Sequence, residues 1–498
     1  MQKKLLAVAV AGALAPAVAM AQSSVTVSGN INIWYETAGA TGATNGIPAA
    51  GATPGFPSTF DVKSRDRIQD GNGSNVRFTA VEDLGTGMQA FAQIESAVVS
   101  NANMRNDGVS NGTATSTATS TIQGAGGWGT RNTGVGLRGQ AWGEVLIGIW
   151  DVHYNEQYGT DGLLIKGASH MSMLGLLNSF GMVGLAGGTT PQAQAGTLGG
   201  VQIGARYSNV IRYQSPNWGG FSFRAAYARP TDGGVPVAQD YVTNGTKNKM
   251  FNFAPQFNMG GIHVGLSYLK DSDIVTLQSP IFSSATVTNQ TGVASGATGP
   301  TIAGAAIGSG AFGASTTPNS NLSTITSTRL FGAYAFPFGL KIGLVYDQSK
   351  LDVKSSAPAT TVGGFGSSQF KRTVWGIPVA YTIGAHTIGA SYAQAGKLTG
   401  SVGTTGGGSI DIGSIGVIPA GAAAGTAPMN WGDNSKAKFY MLGYTYDLSK
   451  RTNVHAGYTQ IKNDNLAGYD FFANGVGMNG ASFGADPRII HVGLRHAF

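Results

Sequence analysis

Residues 487–498 read PRIIHVGLRHAF, and this stretch decides the fold. Ile490, Val492, Leu494 and Phe498 share one parity, while Ile489, His491, Gly493, Arg495 and Ala497 share the other. Extended backbone sends alternate side chains to opposite faces. One face is therefore mostly apolar, interrupted by His496, and the other is small or polar apart from Ile489. A water-soluble protein rarely closes on such a strand. A barrel with lipid outside and water inside needs one, because its last strand must seal against its first.

The same alternation recurs through the chain. In 24–36, Val25, Val27, Ile31, Ile33 and Tyr35 fall on one parity. After a long polar segment, strands are expected at 75–83, 88–98, 131–140, 144–150, 209–215, 221–228, 249–257 and 262–270. Further ones follow at 327–336, 340–348, 370–383, 387–397, 436–447, 452–462 and 487–498. Short turns rich in Gly, Pro and Asn join them in pairs, supplying the backbone angles that hairpins need. The count is about sixteen, even as in bacterial single-chain barrels. The expected fold is an all-β transmembrane antiparallel barrel, with seven short turns and both termini on the periplasmic side. Tyr35, Tyr227, Tyr268, Tyr346, Tyr392, Tyr446 and Tyr458 stand near strand ends, as interfacial girdles require. A soluble β-sandwich or propeller would also show periodic strands, but no blade-length repeat is present. The segments 271–326 and 398–435 are Ser/Thr/Gly-rich and are expected to be long, structureless surface loops.

Bulk composition agrees. Charged residues make up 11% of the 498-residue chain, well below the usual quarter or so. Mean hydropathy is +0.02, yet no run of about 20 apolar residues follows the N-terminus. The longest candidate, 171–187, is broken by Asn178, Ser179 and repeated Gly. With no Cys, disulfides and Cys-based metal or redox motifs are absent. Residues 1–21 have the charged start, apolar run and small-x-small end of a secretory signal. The mature chain, 22–498, is then a single barrel domain with 29 basic and 24 acidic residues, a net charge of +5 once Lys3 and Lys4 are removed.

Enzyme signals are poor. The seven His are scattered, and His491 and His496 fall on opposite faces of one strand. No H-E-x-x-H, P-loop or G-x-S-x-G motif occurs. Residues 134–139 match G-x-G-x-x-G, but no helix follows, so these are strand glycines. No cofactor is expected, and dispersed basic residues argue against nucleic acid.

A pore's chemistry lies in the charges at its constriction. Parity against apolar neighbours turns Arg77, Arg138, Arg212, Arg224 and Lys341 inward, since a charge facing mid-bilayer lipid costs about 2–4 kcal/mol. Glu95, Asp151, Glu156 and Asp161 are the candidate acidic set facing them. Opposed rows of this kind would set a transverse field across the pore. The net +5 and five inward cations favour mild anion preference.

Several stretches resemble the general porins of Gram-negative bacteria, particularly the sixteen-stranded trimeric betaproteobacterial type. They are SVTVSG at 24–29, EDLGTG at 82–87 with Gln93 and Glu95, NTGVGLRG at 132–139, YQSPN at 213–217 with Gly219-Gly220-Phe221, LSKRT at 448–452, and the closing 492–498. The resemblance implies a homotrimer in the outer membrane, in contact with lipid and lipopolysaccharide, that passes small hydrophilic solutes and ions. It implies that Phe498 is the signal read by the barrel assembly machinery. It also implies a third loop, here 151–208, folded into the barrel as the constriction. Two departures stand out. The Leu-Gly-Arg that often enters this loop is Ile147-Gly148-Ile149-Trp150 here, and an Asp common in the first strand is Asn32. The apolar middle of the loop raises a substrate-selective channel with a greasy path as an alternative. A surface adhesin or receptor barrel is another.

Overall fold

Alternating apolar residues and Gly-rich turns produce sixteen strands, which close into one antiparallel cylinder in the computed structural model. It describes residues 24–43, 61–70, 74–98, 128–156, 167–181, 203–229, 249–275, 286–289, 301–302, 305–306, 321–355, 368–403, 409–418, 429–471 and 484–498. The first eight strands are β1 (Ser24–Thr41), β2 (Val62–Asp70, continued by Asn75–Gly85), β3 (Met88–Ala97), β4 (Thr133–Gly139), β5 (Gly143–Val152), β6 (Ala205–Gln214), β7 (Phe221–Ala228) and β8 (Lys249–Met259). The remainder are β9 (Ile262–Val275), β10 (Asn321–Ala335), β11 (Leu340–Ser355), β12 (Ser368–Ile383), β13 (His386–Ala395, continued by Thr399–Gly403), β14 (Ala437–Asp447), β15 (Thr452–Asn463) and β16 (Asp486–Ala497). The proposed signal, 1–21, lies outside the described residues.

Closure is made by β16 against β1, in register from Asn30↔Ala497 to Thr41↔Asp486. Gly29 and Phe498 exchange backbone hydrogen bonds of 3.0 and 3.1 Å below it. Alternation gives the wall two faces. Ile490, Val492 and Leu494 are 60%, 57% and 50% exposed, whereas Ile489 is fully buried. The same exposed apolar face runs round the cylinder through Val135, Ile147, Ile211, Phe251, Val264, Leu330, Leu344, Ile377 and Leu442. Such a continuous apolar band suits lipid, because the closed sheet behind it pairs its backbone strand to strand, with breaks in the register at Pro255 and Pro378 along β8–β9 and β11–β12.

The strands run further than their apolar alternation reaches. β1 continues to Thr41, β9 to Val275 and β11 to Ser355, while β10 begins at Asn321. Val62–Asp70 is a strand although five of its nine residues are charged, because it pairs with β1 above the apolar band, where both faces tolerate polarity. The segments expected to be structureless are partly ordered. Within them Thr286–Asn289 pairs with Ile415–Ile418, which pairs with Met429–Asn430, tying two outer loops into a small separate sheet.

Inside the cylinder lies 167–181, from the third loop. It holds a 3-10 turn (Ser169–Met171) and one helical turn, α1 (Leu174–Leu177). Its Met171, Met173, Leu176 and Leu177 are fully buried against the wall, with Val345, Val374 and Phe439, and beside Tyr469 and Phe471 of the last loop. Strand glycines make room for it. A Cβ on Gly376 would sit 2.7 Å from the Met173 sulfur, and one on Gly457 would sit 2.8 Å from Met171 Cε.

Candidate pore lining and constriction

Each strand's inner parity sets which side chains meet inside. Arg77 lies on the inner face of β2, and its guanidinium donates to Glu95 of β3 at 3.0 Å. Arg131, just before β4, reaches the other oxygen of Glu95 at 2.7 Å. One tier along, Asp151 at the end of β5 pairs with Arg206 of β6 at 2.8 Å and accepts from the Tyr154 hydroxyl at 2.8 Å. Nearer the short turns, Arg212 pairs with Glu144 at 2.8 Å and stacks over Trp150. Arg138 donates to Gln89 at 2.9 Å and lies over Phe91. Arg224 on β7 pairs with Glu156, from the third loop, at 2.6 Å. Burial raises the Glu156 carboxyl above the usual carboxylate range, and Arg224 and Arg212 pull it back. Lys341 is half-buried on the inner face of β11, its neighbour Ile342 facing out. Asp161 lies outside the described residues.

The inner parity expected for the five basic candidates is therefore seen. The expected opposed rows are not. Glu95, Asp151 and Glu156 sit beside guanidiniums on the same side of the cylinder, in contact rather than across it. Their carboxylates are accessible to neighbouring strands only a few ångströms away, and partial burial makes an unpaired charge costly, so pairing wins over separation. At the two ends of the 151–208 segment, β5 runs through Val152 and β6 begins at Ala205.

On the opposite wall two arginines, which parity reasoning passed over, hold the third loop in place. Arg329 on β10, fully buried, pairs with Asp347 of β11 at 2.9 Å. It also donates to the carbonyls of Tyr154 and Leu177 and to Asn178 Oδ1, at 3.0–3.1 Å. Arg372 on β12 donates to the same Leu177 carbonyl at 2.6 Å. A helical turn leaves its last carbonyls unpaired, and these guanidiniums satisfy one of them. The His153 ring bridges the hydroxyls of Ser267 and Ser327, each at 2.9 Å. Apolar side chains of 167–181 are thereby turned into the wall. Among the described residues they form no greasy path.

Three of the scattered His meet here. His455 Nε2 faces Asn32 Oδ1 at 2.7 Å, His491 Nε2 faces His455 Nδ1 at 3.1 Å, and His170 Nε2 faces His491 Nδ1 at 2.9 Å. Asn32 Nδ2 donates to the Gly167 carbonyl, which fixes the amide and leaves its oxygen as acceptor. Each neutral imidazole donates once and accepts once, so all three carry their proton on Nε2. His170 Nδ1 is then bare, 3.8 Å from Glu36 Oε2. Among the described residues no group of three His or carboxylates is arranged to hold a metal ion. The grouping joins β1, β15, β16 and the third loop. Only inward parity at Asn32, His455 and His491 hinted at it in the sequence.

The model of the Gram-negative porin family matches residues 6–466. An outer membrane porin protein of Bordetella pertussis is 26% identical, and the match covers both chains completely. Among solved structures, an anion-selective porin from Comamonas acidovorans superimposes with a TM-score of 0.54 at 19% identity, covering 96% of this chain and 100% of that one. OmpT, an outer membrane protein of Vibrio cholerae, gives 0.50 at 13% identity, covering 96% and 99%. The chain belongs to the Gram-negative porin family: it is an outer-membrane channel for small solutes.

Proposed function

We propose that this channel passes small hydrophilic solutes and ions with a mild preference for anions. The supporting observation is the charge balance of the wall. Arg67, Arg77, Arg131, Arg206, Arg212 and Arg224 are paired with Glu36, Glu95, Asp151, Glu144 and Glu156, six cations against five carboxylates. Arg138, whose partner is the neutral Gln89, adds to the positive side. A low-dielectric wall focuses such an excess into the lumen. The nine residues Arg77, Glu95, Arg138, Asp151, Glu156, Asp161, Arg212, Arg224 and Lys341 remain the candidate lining, with the loop 151–208 as constriction. Reversal potential across a planar bilayer in a KCl gradient tests this. Chloride should permeate a few times better than potassium, and the ratio should fall toward unity in Arg138→Gln/Lys341→Gln. Potassium preference in the unaltered protein would sink the reading.

Three further features belong to the same reading: a homotrimer, removal of residues 1–21 with both termini left in the periplasm, and Phe498 as the assembly signal. The complementary backbone bonds of Phe498 with Gly29 suit a terminal residue that is handed over as the sheet closes. Native mass spectrometry in detergent should show three copies. The adhesin alternative predicts no conductance after reconstitution.

A further inference from the structure

The short-turn mouth of the lumen holds a cavity of about 540 Å³. Strand register builds it. Asp83 of β2 pairs with Gln89 of β3, Gln89 with Arg138 of β4, and Arg138 with Glu144 of β5. Glu144 pairs in turn with Gln214 of β6, and Gln214 with Arg224 of β7. The first five residues of this row line the cavity, joined by Asn217 from the turn after β6. The row lies on the inner parity, since the adjacent Leu84, Leu137 and Val145 are exposed on the outer face. Neighbouring strands are about 4.8 Å apart, so Gln89 to Gln214 covers roughly 14 Å.

Every side chain in the row ends in a planar group. A carboxylate, an amide or a guanidinium presents two or more polar atoms in one plane, a geometry that meets two adjacent hydroxyls at once. Among the described residues these groups are only partly used. Arg138 gives its Nε to Gln89 at 2.9 Å and lies over the Phe91 ring, which fixes the guanidinium and leaves both Nη groups without a hydrogen-bond partner. Gln89 accepts that bond and keeps its amide nitrogen. Gln214 donates to the Ser215 and Phe223 carbonyls, each at 3.3 Å, and keeps its oxygen. Glu144 engages Arg212, and Asp83 the Gly85 amide, each through one oxygen. The row thus offers both donors and acceptors, while its two carboxylates and two guanidiniums leave it without net charge. It holds nothing by charge alone. It suits a neutral solute with adjacent hydroxyls, each of which donates and accepts.

We propose that this cavity is a sugar subsite, which holds a neutral short oligosaccharide on its way through the channel. Arg138 and Gln89 donate to its hydroxyl oxygens, and Glu144, Asp83 and Gln214 accept from its hydroxyl hydrogens. Binding is weak, because a conducted solute must also leave. Discrimination comes from the polar groups stranded when a solute lacks those hydroxyls. The inference rests on the barrel being a solute channel and not on its ion preference.

The test is the ion current through the whole protein in a planar bilayer as maltotriose is added. Current should fall with a saturating dependence on maltotriose. A polyethylene glycol of equal hydrodynamic radius, which has no adjacent hydroxyls, should give only a shallow fall that does not saturate. In Gln89→Ala/Gln214→Ala the half-saturating maltotriose concentration should rise roughly fivefold or more, each current being scaled to that variant's own sugar-free value. Unchanged half-saturation in the double variant would overturn the site, as would block by polyethylene glycol as steep as by maltotriose. Saturating block by succinate with none by maltotriose would also overturn it, in favour of a carboxylate site at Arg138. Should the double variant give no folded band on an unheated gel, Gln214→Ala alone is measured, with a rise of about twofold expected and no rise counting against the site. Sugar-free conductance tests the channel reading separately. A conducting barrel indifferent to maltotriose would refute the subsite alone, and a barrel without conductance would remove both.

Discussion

At the scale of single residues, Asn32 shows why a close relative of the expected side chain would fail. Its amide donates to the Gly167 carbonyl at 3.1 Å and accepts from His455 at 2.7 Å. Aspartate is isosteric but, when ionised, accepts only. Asn32→Asp would set a carboxylate against a carbonyl and remove the hydrogen bond that ties Gly167 of the inserted segment to β1. A buried polar group stripped of its partner costs about 1–3 kcal/mol. The expected outcome is a lower thermal unfolding midpoint and noisier single-channel current, with Asn32→Gln intermediate. Gly29 is a second such position. A Cβ there would stand 2.2 Å from the Asn75 carbonyl oxygen, which is backbone and has nowhere to go. Gly29→Val should prevent β1 from seating between β2 and the chain end, read as loss of the folded band on an unheated gel. Wild-type mobility for that variant would show that the seam tolerates a side chain. The sequence showed Asn32 as a departure, but nothing in its neighbours named Gly167 or His455 as partners.

At the scale of elements, the described part of the third loop, 167–181, is held by the wall. Its helical turn, α1, is four residues long, too short to persist alone. Arg329 supplies the order by joining Asp347 to the Tyr154 carbonyl at the start of the loop and to the Leu177 carbonyl at the end of α1. Removing one partner of a buried ion pair costs about 3–5 kcal/mol, since the other charge is left stranded. Arg329→Met should therefore free the segment, expose 151–208 to limited proteolysis and change conductance, while Arg329→Met/Asp347→Asn should recover part of the stability. If both variants resist protease as the parent does, the arginine is not the anchor. Elements were legible where their pattern is local. The alternation of β16 and the Gly-rich turns are visible in a dozen residues. The charged strand Val62–Asp70 was not visible, because it is held by pairing to β1 and not by an apolar face.

At the scale of the whole molecule, one greasy exterior and one polar interior govern what can be changed. Leu344 is 54% exposed, flanked on its face by Ile342 and Tyr346. Leu344→Lys should cost about 2–4 kcal/mol near the bilayer midplane, measured as a shift in urea unfolding in lipid vesicles. The existing Lys341, on the inner face three residues away, carries no such cost. An unchanged midpoint would mean that Leu344 does not meet lipid. By itself, the sequence determined the strand count, the two faces and the parity that Arg77, Arg138, Arg212, Arg224 and Lys341 occupy, since a period of two and a turn are properties of neighbouring residues. Only the tertiary structure decided that the acidic residues sit beside the arginines, that three distant imidazoles share one line of hydrogen bonds, and that six planar polar side chains share one row at the short-turn mouth. Those pairings depend on strand register and on where a loop comes to rest, and both are fixed by contacts between residues tens to hundreds of positions apart.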